Sequence, residues 1–201
     1  MMMKRRSKAI AFFVAIMMTI VQLVILPANG IEAKVTYVVD AVPSTLHIAE
    51  RSPSEIRQFI ASHPVQYLTT EYTEEPLITS PYAAGKVSEK NLTDALNRLN
   101  TYRFIAGLSA DVKLDDEYNK LAQAASLINR VNGGLSHSPE RPEGMSDELY
   151  QLARSGAGSC NLAMMGMSST IARSIDMYVN EGGVLGHRRW VLNPPMKKTG
   201  F

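Results

Sequence analysis

The chain has 201 residues, a formal net charge of +2 and a single cysteine. Lys4, Arg5, Arg6 and Lys8 account for that excess, so the rest is slightly acidic, which excludes the dense basic patch a nucleic-acid surface needs. Lone Cys160 excludes an intramolecular disulfide framework and leaves packing, or a metal, to hold the fold.

The four basic residues precede an apolar run over 9–26, and Pro27, Ala28, Asn29 and Gly30 then supply a helix break and small residues. That order is an export signal, residues 1–30, with cleavage expected after Gly30 and a cut after Ala33 as second choice. The run also reaches the roughly 17–25 residues of a bilayer-spanning helix, so an uncleaved N-terminal anchor is the alternative. Either way the remainder is secreted or associated with a bacterial cell envelope, and the anchor is its only expected contact with a membrane.

Residues 31–87 read as an extension and linker. Residues 34–42 form a short alternating strand or a linker, and a helix is predicted from Pro53 to about Ser62. There Ser52 is the N-cap, Glu55 closes a capping box, and His63-Pro64 stops the helix. Residues 65–85 turn to Thr, Glu, Pro and Tyr without periodicity, the composition of a linker. The organised domain spans residues 88–201. Ser88 caps a helix with Leu92, Ala95, Leu96, Leu99 and Tyr102 on one face, ended by Gly107. A second helix begins near Asp115 and breaks at Asn132-Gly133-Gly134; a third covers "MSDELYQLARSG" behind Ser146. "SCNLAMM" reads as a buried strand and residues 168–180 as a fourth helix with Ile171, Ile175 and Tyr178 inward. The fold class is α+β, or all-α if no sheet is completed.

His47 and His63 are expected to be surface residues. His137 and His187 both follow glycine-containing loops, where sites commonly sit. The plainer reading gives each a neighbouring carbonyl to bond, because neither has a metal-ligand spacing such as His-Glu-x-x-His. Cys160 is plainly read as a small buried hydrophobe; functionally it is a thiolate beside two imidazoles, an accepted zinc environment, with a reactive nucleophile as a weaker third reading. Glu181 sits against the dipole at a helix C-terminus. Arg188 and Arg189 are expected to pair with acids or that helix end, with recognition of an anionic wall polymer as the alternative. Trp190 is expected in the core, its alternative being a sugar-stacking rim, and Met164, Met165 and Met167 are expected as core filler.

Taken in order, "LNRLNTYRFIAGLSADVKLDDEYNKLAQAASL", His137, "SCNLAMMG", "SIDMYVNEGG" and "GHRRWVLNPP" resemble the bacterial exported form of the CAP superfamily, the cysteine-rich secretory, antigen 5 and pathogenesis-related proteins. The resemblance runs from about Asn91 to Phe201, roughly half the chain, and its most specific element is the last. It implies an α-β-α sandwich of CAP type whose central cleft gathers two histidines and two glutamates and can hold a divalent metal, often zinc. Carried over, the cleft residues are His137, His187 and Glu181. Cys160 stands where the first glutamate falls, which weakens acid–base hydrolysis. Family members continue beyond "KKTGF" into sheet strands, so a fragment, a truncated gene product or a protein that needs a partner is expected.

Three functions follow from the resemblance. The first is an exported binding or interaction module for an extracellular or cell-wall ligand, with a metal-holding cleft. The second is a metal-dependent hydrolase of peptides or wall polymers with Glu181 as base. The third is a non-functional remnant.

Overall fold

In the computed structural model, which describes residues 48–166, 170–183 and 185–201, the capping box forms as the sequence requires. Helix α1 is Pro53–Ser62; the Ser52 N–H donates to Glu55 Oε2 at 2.7 Å and the Glu55 N–H to Ser52 Oγ at 3.3 Å. No residue of α1 is buried. Its hold on the rest is aromatic: Phe59 stacks on His63 at 4.0 Å and on Phe104 at 4.1 Å, with Arg51 over the Phe104 ring. The export signal, segment 34–42 and His47 lie outside the described residues, which belong to the unit Val42–Phe201. Among the described residues no helix is long and apolar enough to cross a membrane.

The segment expected as a linker is instead laid along helix α2, Glu89–Ile105. The N–H groups of Gln66 and Leu68 donate to the two oxygens of Asp94 at 2.6 and 3.2 Å, and that of Glu71 to Asn91 Oδ1 at 2.9 Å. Asn91 returns its amide to the carbonyls of Leu68 and Thr69. Two polar side chains three positions apart on one helix face thus stand in for a ladder and satisfy the backbone. Strand β1 (Tyr72–Glu74) then pairs antiparallel with β2 (Lys86–Val87). Periodicity misses this segment because its partner is a row of side chains rather than a hydrophobic face.

Helices α3 (Asp116–Val131) and α4 (Asp147–Ser159) form one layer, with Ala124, Leu127, Ile128, Met145 and Ala153 buried between them. A second cluster of Leu99, Val112, Ile175 and Val191 joins α2 to α5 (Ile171–Val179) and α6 (Gly186–Val191). Ser88, Asp115, Ser146 and Thr170 each accept a backbone N–H as N-caps, which places the helix starts. Strand β3 (Lys113–Leu114) pairs parallel with β4 (Lys198–Thr199), so the described residues hold six helices and two two-stranded sheets, an α+β arrangement.

Four expectations change. Residues 161–166 carry no helix or strand; a strand needs a ladder partner, and both sheets are complete as pairs elsewhere. Helix α4 runs past Gly156 to Ser159. Helix α5 is capped by Thr170, the expected start at Ser168 lying outside the described residues, as does Met167. Trp190 is 63% exposed and Met164 53%, so neither is core: the inward face of six-residue α6 is taken by Val191, and Met164 lies in the segment without a ladder.

Candidate functional site: a groove between the helix layers

Between the α3–α4 layer and the α2–α5–α6 cluster lies an open groove of about 2080 Å³. His137, Cys160, Tyr178, His187 and Trp190 all line it. Each reaches the wall by a separate local device. Asn129 Oδ1 accepts the Ser136 N–H at 2.6 Å and fixes the turn before His137, whose Nδ1 donates to the carbonyl of Ala157 at 2.6 Å. Helix α5 is anchored to α2 by Asp176, which accepts from Arg98 Nε at 2.6 Å, Tyr102 OH at 2.8 Å and Tyr67 OH at 3.0 Å. Tyr67 holds the left-handed φ of 51° that only a few non-glycine residues adopt.

Glu181 follows α5 directly. Its Oε2 accepts from His187 Nδ1 at 2.8 Å and its Oε1 from the Arg188 N–H at 2.9 Å. Those donors, the Arg188 N–H first, hold its carboxyl below the usual carboxylate range, with 11% of the side chain exposed. The contact therefore contributes stability above the ordinary carboxylate pKa and loses it as acid titrates the lowered one. Arg188 closes the same corner by donating to the carbonyls of Val179 and Glu181, the helix-end pairing expected from sequence. Asn161 donates to the His187 carbonyl and accepts from Tyr178 OH, tying the chain after α4 to α5 and α6.

Both imidazoles thus present Nδ1 to an acceptor, which leaves Nε2 as the free ring nitrogen. Cys160 lacks any such assistance, and burial pushes its thiol up to about 11. Among the described residues no three His, Cys, Asp or Glu side chains stand close enough to share an ion. Glu181 and His187 are brought together; His137 and Cys160 line the same groove without joining them in such a group. His63 caps α1 as expected, but it is half-buried against Phe59 rather than a surface residue. Sequence reasoning missed Asp176, Asn161 and Arg103; the available signal for Arg103 was a charge four residues after Leu99 on an apolar helix face.

A thiol pushed by burial to about 11 holds a thiolate fraction on the order of 100-fold smaller at neutral pH than an ordinary one. Iodoacetamide is accordingly expected to alkylate Cys160 roughly 100-fold more slowly in the folded chain than in urea. Equal rates in the two states would show that burial does not protect the thiol.

No family model, curated protein or solved structure matches this chain.

Proposed function

We propose that this chain is an exported CAP-type binding module that takes an extracellular or cell-wall ligand in the groove between its helix layers. The proposal includes the CAP-type sandwich as the parent architecture and export by the N-terminal signal. The observation that carries it is the Glu181–His187 pair, a half-buried carboxylate orienting an imidazole at the wall of an open groove. The carboxylate takes the Arg188 N–H in the first turn of α6 and with its other oxygen sets the tautomer and direction of the His187 ring.

The donor chemistry fits a divalent ion in one respect and departs from it in another. His137 and His187 hold the tautomer that ligates through Nε2, whereas Cys160 stays a thiol and Glu181 already has a protein donor on each oxygen. Zinc bound there would rest on the two imidazoles and fill its other positions with water or ligand oxygens, an open site rather than a closed structural one. The hydrolase reading draws on the same pair, but its proton acceptor is then His187 Nε2, with Glu181 as the residue that positions the ring.

Titration calorimetry is expected to show zinc binding to the chain that the His137→Ala, His187→Ala double variant loses; equal affinity in both removes the metal from the proposal. Emission of Trp190, the only tryptophan, reports the groove itself. It is expected to shift with groove ligands, and a spectrum unmoved by peptides, muropeptides and fatty acids alike would sink the binding-module reading.

A further inference from the structure

We infer that Tyr67, in the extension ahead of the organised helices, is a positioning residue for the Glu181–His187 pair, and that Asp94 is the group that aims it. As a statement about the site, this rests on the reading above that the pair is its working part. Asp94 is 6% exposed on α2, and its two oxygens take the N–H groups of Gln66 and Leu68, the residues on either side of Tyr67. One carboxylate thus pins both flanks of a single residue, and that residue stands at φ 51°. A bulky side chain meets a steric penalty there that glycine does not, so the kink persists only where the surroundings fix it. Asn91 and Asn97 hold the chain beyond the kink, Asn91 through the Leu68 and Thr69 carbonyls and Asn97 through that of Pro64. A tyrosine kept where glycine fits more easily points to a task for its side chain.

That task is visible at the end of the ring. Among the described residues, every other hydrogen bond from residues 48–71 to the rest of the fold goes to α2 or to the residues flanking it. Tyr67 OH instead crosses to α5 and donates to Asp176 Oδ2 at 3.0 Å. The two donors from α2, Arg98 Nε and Tyr102 OH, share Oδ1, an oxygen about which the carboxylate is free to pivot. The Tyr67 bond to Oδ2 removes that freedom. Burial, and then the bond to Asp176, hold both tyrosine hydroxyls above the ordinary phenol range, so both stay donors at neutral pH.

Asp176 stands one helical turn before the site. Its backbone carbonyl accepts the Asn180 N–H at 2.8 Å, and Asn180 caps the end of α5 immediately before Glu181. Glu181 in turn supplies what α6 lacks: Leu185, at the N-cap position, offers no side-chain acceptor, and the Arg188 N–H goes to Glu181 instead. The order of dependence runs from Asp94 through Tyr67 and Asp176 to the last turn of α5, then to Glu181 and the His187 ring.

The test is amide hydrogen exchange on the whole chain. It is read at Arg188, whose N–H reports the Glu181 contact, and at Leu99, a buried α2 residue of the cluster that joins α2, α5 and α6. Tyr67→Phe, which removes only the hydroxyl, is expected to speed exchange at Arg188 at least about tenfold and at Leu99 less than about threefold. Asp94→Asn leaves one acceptor oxygen for two N–H donors and is expected to act in the same direction. Asn97→Ala removes a tie of the extension to α2 without touching Tyr67, and is expected to leave Arg188 within about threefold of the native rate. In a Glu181→Ala background, where the Arg188 N–H has already lost its acceptor, Tyr67→Phe is expected to add nothing at Arg188. Equal acceleration at Arg188 and Leu99, or an effect of Tyr67→Phe that persists undiminished without Glu181, makes the tyrosine merely structural and overturns the inference. So does an Asn97→Ala effect as large as that of Tyr67→Phe, or unaltered Arg188 exchange in Asp94→Asn. Failure of Trp190 emission to respond to any groove ligand removes the binding module alone, because the exchange rates decide the role of Tyr67 without a ligand.

Discussion

Arg103→Met is expected to lower the unfolding free energy by about 2–4 kcal/mol, because it takes a charged donor away from several carbonyls at once. Arg103 is 0% exposed, and its guanidinium is spent entirely on carbonyls: Nε donates to Ser109 at 2.9 Å and Nη1 to Val191 and Asn193 at 3.0 and 2.9 Å. Nη2 reaches the Pro194 carbonyl at 3.4 Å. Burial pulls its pKa down, yet an arginine remains charged at neutral pH. The carbonyls it serves belong to the turn after α2 and to the end of the "GHRRWVLNPP" segment, so one side chain clamps α6 to α2 across 88 to 91 positions of sequence. Methionine of similar length fills the space but orphans the acceptors, each costing about 1–3 kcal/mol when left buried and unpaired. Arg103→Lys is expected to lose less than methionine but not to recover the native value, because an ammonium cannot donate in three directions of a planar fork. Urea unfolding measures this; a midpoint shift worth less than about 1 kcal/mol in the methionine variant would show the clamp to be dispensable. Alignment of His187 with Glu181 is expected to loosen in parallel, since α6 carries the histidine.

The second large effect is a reversal of sign between two glycines two positions apart. Gly156→Ala places a Cβ 2.1 Å from the Leu121 carbonyl oxygen and 2.8 Å from its carbon, both backbone atoms of α3. Neither atom yields by rotating a side chain, so α3 and α4 must separate along the most extensively packed pair of helices in the fold. The expected cost is about 1–3 kcal/mol or more from overpacking, although alanine is intrinsically the better helix former by about 1 kcal/mol. Gly158→Ala meets nothing nearer than the His137 carbonyl oxygen at 3.6 Å, ordinary contact, on an exposed turn of the same helix. It is expected to be stabilising by up to about 1 kcal/mol. Thermal melting separates the two, since about 1 kcal/mol moves the midpoint of a domain this size by roughly 2–4 °C. Equal shifts of the same sign would contradict the close approach at Gly156.

Gly156 also shows why part of the fold was legible and part was not. Read along the chain, a glycine after a run of helix formers is a stop, and helix three is expected to end there. In space it is a point of contact: the helix continues to Ser159 because the missing Cβ is what admits α3. Helix starts were readable because an N-cap acts within three residues, as at Ser52, Ser88 and Ser146. Trp190 was misplaced because flanking Val191 and Leu192 indicate burial of the segment but not which side of a short helix faces inward; Val191 took the inner place. The segment before α2 was misjudged because Asn91 and Asp94, which bind it, look from sequence like ordinary polar helix residues.

The site divides the same way. That His137, Cys160, Glu181 and His187 bear chemistry could be argued from residue type and order, and the structure puts three of them in the lining of one groove with Glu181 bonded to His187. Which of them work together could not, because ring orientation, thiol burial and carboxylate pairing depend on groups tens of residues distant: Ala157 for His137, and Asp176 with its tyrosines for the helix before Glu181.

By itself, the sequence determined what is decided within a turn or two of backbone: the caps, the helical stripes, the charged-apolar-small order of the N-terminus and the lone cysteine that rules out an internal disulfide. Tertiary structure alone decided which glycine separates helices and which joins them, and that a buried arginine replaces a ladder as the clamp on the last segment. The physical reason is range: propensity and capping act between neighbours in the chain, whereas close approach, burial and the pairing of polar backbone act between neighbours in space.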